Sequence, residues 1–383
     1  MQQYQYQSAN QIVFGAGASK KIREVRPLRR VSRILIMSDA GVESAGLLAP
    51  IREALADVTV LLDTSVKPDG SVAHIDELAR RAKEHDIEAI VAVGGGSVMD
   101  SAKAVAAVLR KGGSIADYEG FATIRSTLIP IVCVPTTTGT GAEATQFVVV
   151  HDHETGAKRI ISDLSLVPTV AILDPELVAQ LPRTIAVSTA ADALTHAIEA
   201  LGSRMANPLG DAMAMEALRL MLREQNFEKS LQKEVDQDAR GRMLTAANLA
   251  GQAISTSMLG ACHAFAHAFG AVKKVPHGYA NGLFLGSVMR FNMKNAESAY
   301  AKIGSLLGVQ GTEREQAEAA IDEVERLLHQ VAGIPTTLKS IQIESSEKSE
   351  LVDQVMADPD LRTNPVSIRD PSIVEDWISR AMI

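Results

Sequence analysis

Hydrophobic and polar positions in the first half of the chain follow two alternating periods. Short runs rich in β-branched residues, typical of buried strands, occupy residues 33–39, 58–63, 89–93 and 129–134. Between them, apolar residues recur at helical spacing over residues 42–56, 72–85 and 98–109. Strands that alternate with helices predict a parallel sheet with crossover helices, and near-continuous apolar strands predict burial of both sheet faces.

A turn-rich segment separates two further apolar runs. Residues 146–150 and 159–161 flank the letters HDHETGAK, and this arrangement predicts a β-hairpin. His151 and His153 stand at alternate positions beside the turn, where they could share a metal ion. We interpret them instead as solvated side chains, because a hydrophilic hairpin tip explains them without a ligand.

The strand pattern ends after Asp174-Pro175, and helical spacing dominates the rest of the chain. The periodic segments are residues 188–201, 210–223, 239–257, 261–272, 296–307 and 313–331. This change of period predicts a domain boundary near residue 180, with an α/β domain before it and an all-α domain after it. A cleft between two domains is a favoured place for a small-molecule site.

Length and composition agree with a two-domain globular protein. The 383 residues are 46% hydrophobic and 22% charged, whereas single cores usually stop growing at roughly 250–300 residues. The net charge of −8 argues against nucleic-acid and anionic-membrane partners, which need clustered lysine and arginine. Residues 20–33 form the one basic stretch, which we interpret as a solvated helical face or loop.

Cysteine content and targeting patterns indicate the compartment. Only Cys133 and Cys262 occur, so the sequence predicts no disulfide framework and favours a reducing environment. The first residues, MQQYQYQSAN, lack the basic start and apolar run of a signal peptide. No apolar run approaches the roughly 20 residues needed to span a bilayer. We therefore expect a cytoplasmic protein.

Three glycines, residues 94–96, follow the predicted strand at residues 89–93. Glycines let the backbone approach a phosphate, and a helix N-terminus supplies free N–H donors and positive dipole. Ser97 comes next, as a candidate both for the helix N-cap and for a phosphate ligand, and Asp100 falls in the first turn. The position of this turn after a parallel strand favours a nucleotide site over a simple tight turn.

Two further polar features lie at predicted strand ends. Asp39 ends a strand, where a carboxylate often holds a ribose hydroxyl and repels the extra phosphate of NADP, although a helix or turn cap is equally plausible. The letters PTTTGTGAE, residues 135–143, follow another strand and carry four hydroxyls and two glycines. Such a loop suits the ribose, pyrophosphate and carboxamide of a dinucleotide. If Asp39 contacts the ribose, NAD is preferred over NADP.

Side chains able to ligate a metal cluster in the second half. Asp192 and His196 are four residues apart within a predicted helix, so both lie on one helical face. His263 and His267 repeat this spacing on another predicted helix, and His277 follows in what we interpret as a loop position. The repeated spacing favours a metal site over isolated structural histidines.

Across essentially its whole length the chain resembles the iron-containing, group III alcohol dehydrogenases. The shared motifs are the glycine turn with Asp100, PTTTGTGAEAT, Asp174-Pro175, DALTH at residues 192–196, and GACHAFAHAFG followed by HGYAN. These separate motifs occur in the family's order and spacing. The resemblance implies a Rossmann-like NAD-binding α/β domain over residues 1–180, a helical metal-binding and catalytic domain over residues 181–383, and a cleft between them.

The resemblance also implies roles for individual residues. The family's metal ligands fall on Asp192, His196, His263 and His277. A histidine associated with substrate positioning or proton transfer falls on His267. The implied cofactor contacts are Asp39, Gly95, Gly96, Ser97, Asp100, Thr136, Thr137, Thr140 and Lys158. Lys158 follows the hairpin tip, where a solvated lysine is the ordinary expectation, and only the resemblance assigns it a role.

A divalent cation suits the chemistry that the resemblance implies. Hydride loss from an alcohol is slow until its oxygen becomes alkoxide-like, and a bound dication lowers the pKa of the alcohol or polarises an aldehyde carbonyl. One carboxylate and three neutral imidazoles suit Fe(II) or Zn(II). We expect Fe2+, with Zn2+ as the other possibility.

Two positions depart from the family's pattern. Many members carry proline where Ala268 and Gly286 stand, so the resemblance leaves substrate preference and loop rigidity undecided, whereas it still implies metal binding. Maleylacetate reductases, relatives that lack metal, lose part of the ligand set that is intact here.

These observations predict an NAD-dependent oxidoreductase acting reversibly on a small primary alcohol and its aldehyde. One alternative is a dehydroquinate synthase-like lyase, which uses NAD transiently beside a metal and needs several Lys and Arg residues for its phosphorylated acid. Another is a non-catalytic metal-binding or nucleotide-binding protein. The resemblance favours a homo-oligomer, a dimer or larger, and we expect no nucleic-acid or membrane partner.

Overall fold

A computed structural model describes residues 11–155, 157–232, 234, 236–339 and 343–382, so the segment MQQYQYQSAN lies outside the described residues. Contacts between Cα atoms divide the chain into two compact units, one ending at Leu181 and one beginning at Pro182. Each unit is described by itself below.

The first unit contains a six-stranded parallel sheet. In order across the sheet, its strands are β1 (Gln11–Phe14), β9 (Val170–Leu173), β6 (Ile131–Pro135), β4 (Ala89–Gly94), β2 (Arg33–Met37) and β3 (Thr59–Asp63). Every neighbouring pair is parallel. The four predicted strands, β2, β3, β4 and β6, are confirmed. The sequence pattern does not predict β1 and β9, because four residues are too few to show a period.

The helices of this unit are α1 (Ala40–Ser44), α2 (Ala49–Ala54), α3 (Val72–Glu84), α4 (Gly96–Lys111) and α5 (Pro175–Val178). Short 3-10 turns occupy residues 18–24, 26–28, 115–118 and 164–166. The prediction of one helix over residues 42–56 is wrong. The chain breaks between α1 and α2 at Gly46, whose φ of 74° is left-handed and ends helical geometry.

Side chains of the central strands alternate between two cores. Ile90 and Ala92 of β4 pack into the core that also contains residues of α3 and α4. Val91 and Val93 pack into a second core with residues of α1 and α2. The sheet is therefore buried on both faces, which is why its strands are apolar at nearly every position.

A second, three-stranded sheet contains the predicted hairpin, which is confirmed. β7 (Phe147–Asp152) pairs antiparallel with β8 (Ala157–Ser162), and β5 (Gly120–Phe121) pairs with β8. The rings of His151 and His153 meet edge to face, with centroids 4.4 Å apart. Within the described residues, no third metal-ligating side chain groups with them.

The second unit is helical. Its helices are α6 (Arg183–Gly202), α7 (Pro208–Leu222), α8 (Asn226–Ser230), α9 (Gln237–Ser257), α10 (Ala261–Lys273), α11 (His277–Leu306), α12 (Glu313–Glu325), α13 (Ser345–Ala357) and α14 (Pro371–Met382). A π-helical turn over residues 326–331 continues α12, and 3-10 turns occupy residues 223–225 and 359–362. Among the helices in the described ranges, none combines the length and apolarity needed to cross a bilayer.

The longest helix, α11, differs from its prediction. It has 30 residues and begins at His277, whereas helical spacing is evident only over residues 296–307. The loop position predicted for His277 is therefore wrong, because Pro276 is the N-cap of the helix rather than part of a loop. Gly286 also lies inside α11, so its departure from the family's proline affects a helix rather than a loop. Most residues in the first half of α11 are themselves buried, so no narrow apolar stripe marks it.

Candidate functional site

The carboxyl ends of three neighbouring strands bring the first group of predicted residues together. Gly94 at the end of β4 pairs with Pro135 at the end of β6, and the Thr136 amide donates to the Gly94 carbonyl at 3.0 Å. Asp39 follows β2, on the other side of β4. The glycine turn, the threonine loop and Asp39 thus share one edge of the sheet, where nucleotides commonly bind in α/β folds.

The glycine turn packs directly against the threonine loop. A methyl group added to Gly96 would lie 2.8 Å from Cγ2 of Thr140, and one added to Gly95 would lie 3.4 Å from Cγ2 of Thr137. The N-terminus of α4 has no hydrogen bond from a capping side chain. Close backbone approach and an uncapped helix N-terminus are the features that suit a phosphate group.

Ser97 has a different local role from the one predicted. The N-cap of α4 is Gly95, so the predicted capping role of Ser97 is wrong. Ser97 lies in the first turn, and its Oγ accepts from the Asp69 amide at 3.0 Å. The Asp69 carbonyl in turn accepts from the His151 amide at 3.1 Å, and His151 pairs with Lys158 across the hairpin. These contacts connect Lys158 indirectly to the glycine turn.

Asp39 and Asp100 both accept hydrogen bonds within the protein. Oδ1 of Asp39 accepts from two backbone amides of α1 at 2.8 and 3.0 Å, so this carboxylate caps the helix. Asp100 accepts from the Val149 amide at 3.0 Å and from Nζ of the fully buried Lys103 at 3.3 Å. Burial raises the pKa of Asp100 against the opposing charge of Lys103. Asp100 therefore fastens α4 to β7.

The predicted metal ligands converge in the helical unit. Asp192 and His196 lie on successive turns of α6, His263 lies on α10, and His277 begins α11. Oδ1 of Asp192 lies 3.7, 3.6 and 3.5 Å from the Nε2 atoms of His196, His263 and His277, respectively. All except His277 are buried. Ligand atoms of Asp192, His196 and His263 all lie within 4.8 Å of one another, and Nε2 of His277, on a third helix, approaches the same carboxylate oxygen.

The distances from Asp192 Oδ1 to the three histidine nitrogens suit the ligands of a single divalent cation. Separations of 3.5–3.7 Å are longer than normal hydrogen bonds. Ligands at 2.0–2.1 Å around a tetrahedral ion lie roughly 3.4 Å apart, which is close to the observed spacing. Mixed imidazole and carboxylate ligation suits Fe(II) or Zn(II). The residues present therefore fit the metal that the resemblance implies.

Two residues that support this cluster escape prediction from the sequence. Oε2 of Glu199 lies 2.6 Å from Nδ1 of His263, and both side chains are buried. Nδ2 of Asn281 donates to Oδ1 of Asp192 at 2.9 Å. A carboxylate on the far nitrogen of a ligating histidine fixes the tautomer and the ring orientation. Each supporting residue lies about one helical turn after a predicted ligand, and that spacing is the signal available in the sequence.

Charges within the cluster shift its titration. Burial opposes ionisation of Asp192, but the surrounding histidines hold the pKa of its carboxyl well below the usual range. Burial also disfavours protonation of His263, yet the carboxylates of Glu199 and Asp192 raise its pKa to about 10. The cluster therefore favours positive charge, and a cation would replace the proton on Nε2.

His267 lies beside the cluster and has its own partners. Its ring stacks on the ring of His277, with centroids 5.3 Å apart and an interplanar angle of 24°. Its Nδ1 lies 2.9 Å from Oδ2 of Asp358 and 3.9 Å from Oδ2 of Asp360. Asp358 is 91 residues further along the chain, and no spacing or period in the sequence indicates that it meets His267.

A parallel sheet with a nucleotide-type edge, followed by helices that gather Asp and three His residues, is typical of metal-dependent dehydrogenases. The family described as iron-containing alcohol dehydrogenase matches residues 9–175. The C-terminal domain of the same family, described as "Fe-containing alcohol dehydrogenase family, C-terminal", matches residues 186–381. The chain therefore belongs to the iron-containing alcohol dehydrogenase family.

Individual relatives resemble the chain over nearly its whole length. Alcohol dehydrogenase 4 of Schizosaccharomyces pombe is 32% identical over 356 residues, which are 92% of this chain and 83% of the relative. The NAD-dependent methanol dehydrogenase of Bacillus methanolicus is 33% identical over 360 residues, 92% of this chain and 93% of the relative. A solved structure of 1,3-propanediol oxidoreductase superimposes with a TM-score of 0.94 at 30% identity and covers all of both chains.

These comparisons decide between the function classes raised by the sequence. The predicted family, the fold class and the enzyme class, an alcohol dehydrogenase, are confirmed. Membership in this family favours the oxidoreductase over the lyase and over the non-catalytic binding protein.

Proposed function

We propose that this protein transfers hydride reversibly between a small primary alcohol and NAD+, with the corresponding aldehyde, NADH and a proton as products. The observation that carries this proposal is the convergence of Asp192 Oδ1 with three histidine Nε2 atoms at 3.5–3.7 Å. Such a group is the ligand set of a Lewis-acid cation, and it occurs here in a chain of the alcohol dehydrogenase family.

The proposed metal site holds one divalent cation, Fe2+ in the first place and Zn2+ as the alternative, on Asp192, His196, His263 and His277. When bound, the cation lowers the pKa of an alcohol or polarises an aldehyde carbonyl. Asp192 is the one anionic ligand, so the site keeps net positive charge for the substrate oxygen. Glu199 and Asn281 orient the ligands. His267, stacked on His277, accepts the proton of the alcohol and returns it in the reverse direction.

The proposed NAD site lies at the shared edge of the parallel sheet. Gly95, Gly96 and Ser97 present the N-terminus of α4 to the pyrophosphate, and the loop containing Thr136, Thr137 and Thr140 supplies hydroxyls. Asp39 uses one oxygen as a helix cap and offers the other to the ribose. Asp100 and Lys158 contribute less directly, Asp100 by fastening α4 to β7 and Lys158 through the hairpin.

Metal removal tests the catalytic part of the proposal. Protein purified without oxygen is stripped with a chelator, reloaded with Fe2+ or Zn2+, and assayed with NAD and a panel of alcohols. Asp192→Asn is expected to lose bound metal and to lower kcat by at least ~10²-fold, because it removes the anionic ligand. His85→Ala, at an exposed position in the first unit, is the matched control. Full turnover by the metal-free protein would refute the mechanism, and net NADH formation would exclude the lyase.

The coenzyme preference has a separate test. Asp39→Asn keeps an oxygen that can cap α1 but removes the negative charge. The ratio of kcat/KM for NADP to that for NAD should rise by about tenfold or more, with thermal stability unchanged. If the wild-type protein already uses NADP as well as NAD, the proposed role of Asp39 is wrong.

We also propose the division into domains at 1–180 and 181–383, a reducing cytoplasmic location and a homo-oligomeric state. The free, buried cysteines Cys133 and Cys262 support the location. The edge strand β1 exposes Ile12 and Phe14, with 42% and 56% of their surfaces accessible, and this apolar edge supports association between copies. Light scattering on the purified protein measures the oligomeric state, and a monomer at all concentrations would contradict it.

A further inference from the structure

The carboxylate of Asp358 divides its two oxygens between two tasks. Oδ2 lies 2.9 Å from Nδ1 of His267, and the two side chains are only 8% and 17% exposed. Oδ1 accepts from the Asp360 backbone amide at 2.9 Å and so caps the 3-10 turn over residues 359–362. The cap holds the carboxylate in place, and the carboxylate holds the imidazole.

We infer that Asp358 is a positioning residue for His267, which it fixes in the tautomer that carries its proton on Nδ1 and leaves Nε2 free to accept one. A neutral imidazole has a single N–H, so an anionic acceptor at one nitrogen decides which nitrogen is protonated. This inference rests on the proposed function, in which His267 takes up the proton of the alcohol.

Two contacts orient the ring in different directions. Asp358 fixes the Nδ1 end through a hydrogen bond in the plane of the ring. His277 contacts the face of the ring, with centroids 5.3 Å apart and planes at 24°. An imidazole held both at an edge and on a face keeps one orientation, which is what a group that exchanges a proton with a substrate requires.

The same three side chains could also be considered for a second cation, because one ligand atom each of His267, Asp358 and Asp360 lies within 4.8 Å of the others. The short distance from His267 to Asp358, 2.9 Å, is that of a hydrogen bond and is shorter than the roughly 3.4 Å between ligands of one tetrahedral ion. Burial and the charge of Asp358 raise the pKa of Asp360, which weakens it as an anionic ligand. The geometry therefore favours the hydrogen-bonded pair.

Asp358→Asn separates the two tasks of the carboxylate. Asparagine can keep an oxygen for the cap, but it then presents an NH2 group to His267, which is compatible only with the tautomer protonated on Nε2. We expect kcat to fall by at least ~10²-fold, as when the carboxylate of a catalytic triad is replaced by an amide. Metal content and melting temperature should stay unchanged. Asp360→Asn is the matched control, and we expect it to change kcat by less than about threefold because its carboxylate is 3.9 Å from Nδ1.

Two measurements distinguish positioning from a structural role. In a His267→Ala background, adding Asp358→Asn should lower kcat by less than about twofold, because the carboxylate acts through the imidazole. Nitrogen NMR of zinc-loaded protein labelled with 15N-histidine should show His267 protonated on Nδ1 in the wild type and on Nε2 in Asp358→Asn.

Several results would overturn the inference. The first is unchanged turnover by Asp358→Asn, and the second is an equal fall in kcat when Asp358→Asn is added in the His267→Ala background. The others are a His267 tautomer that Asp358→Asn leaves unchanged, and a second Zn2+ that the wild type binds and Asp358→Asn loses. If the wild type oxidises no alcohol, the proposed function fails, and the NMR experiment still decides the tautomer.

Discussion

Gly278 lies next to the proposed ligand His277, at a point where α11 approaches the backbone of α6 closely. A methyl group added to Gly278 would overlap the carbonyl oxygen of Ser188 and would lie 2.6 Å from its carbonyl carbon. The obstacle is the backbone of α6, which cannot turn aside as the end of a flexible side chain can. We therefore predict that Gly278→Ala displaces the start of α11.

The size of the effect follows from ordinary packing distances. Non-bonded carbon atoms pack at about 3.5–4.0 Å and the carbonyl oxygen is the nearest obstacle, so the first turn of α11 has to move by roughly 1.5 Å or more. Overpacking of this kind costs about 1–3 kcal/mol, and the better helix propensity of alanine offsets up to about 1 kcal/mol. His277 moves with its neighbour, whereas metal sites tolerate displacements of about 0.2 Å. We expect metal affinity to fall at least tenfold and net stability to fall by roughly 1–2 kcal/mol.

Competition with a chelator, read by elemental analysis, measures the metal affinity, and thermal unfolding of the metal-free protein measures the stability. Gly202→Ala on α6 is the matched control, because its new methyl group would have Oη of Tyr300 as nearest neighbour at 3.4 Å. If Gly278→Ala and Gly202→Ala behaved alike in both measurements, the close approach of α11 to α6 would be refuted.

Three further predictions concern other parts of the molecule. Glu199→Gln should weaken metal binding about 10–100-fold, because the Glu199 carboxylate orients His263. Glu216→Gln, on the surface, is the control and should leave metal affinity unchanged. If the two variants bound metal equally well, the role of Glu199 would be excluded. Gly96→Ala should weaken NAD binding about tenfold or more without loss of metal, because the new methyl group would lie 2.8 Å from Thr140. Calorimetric titration measures the NAD affinity. An unchanged affinity would show that the glycine turn is not part of the NAD site. Burial raises the pKa of Cys133 to about 12 and raises that of Cys262 well above its ordinary value, so neither is a thiolate at pH 8. A thiol reagent should therefore label both cysteines only after the protein unfolds. Prompt labelling of the native protein would contradict this prediction.

Local patterns in the sequence are sufficient for most of the architecture. Alternating apolar strands and helical spacing predict β2, β3, β4 and β6, the hairpin and the helical second half, because burial of a regular element imposes a period on its own residues. The same reasoning misses β1 and β9, which are too short, and the first half of α11, where most residues are buried.

Motif spacing likewise predicts the residues of the proposed sites but only part of their arrangement. The pair Asp192 and His196 is visible because four residues on a helix make one turn. That they meet His263 and His277 depends on how α6, α10 and α11 pack, although the family's motifs already imply it.

Only the tertiary structure decides which side chains support those residues. Glu199 meets His263, and Asp358 meets His267 from 91 residues away, through contacts between separate elements of the chain. A period records which face of an element is buried but not which residue faces it from another element. The sequence by itself therefore determines most of the elements, the family and the predicted ligands, whereas the hydrogen bonds that orient His263 and His267 exist only once the helices have packed.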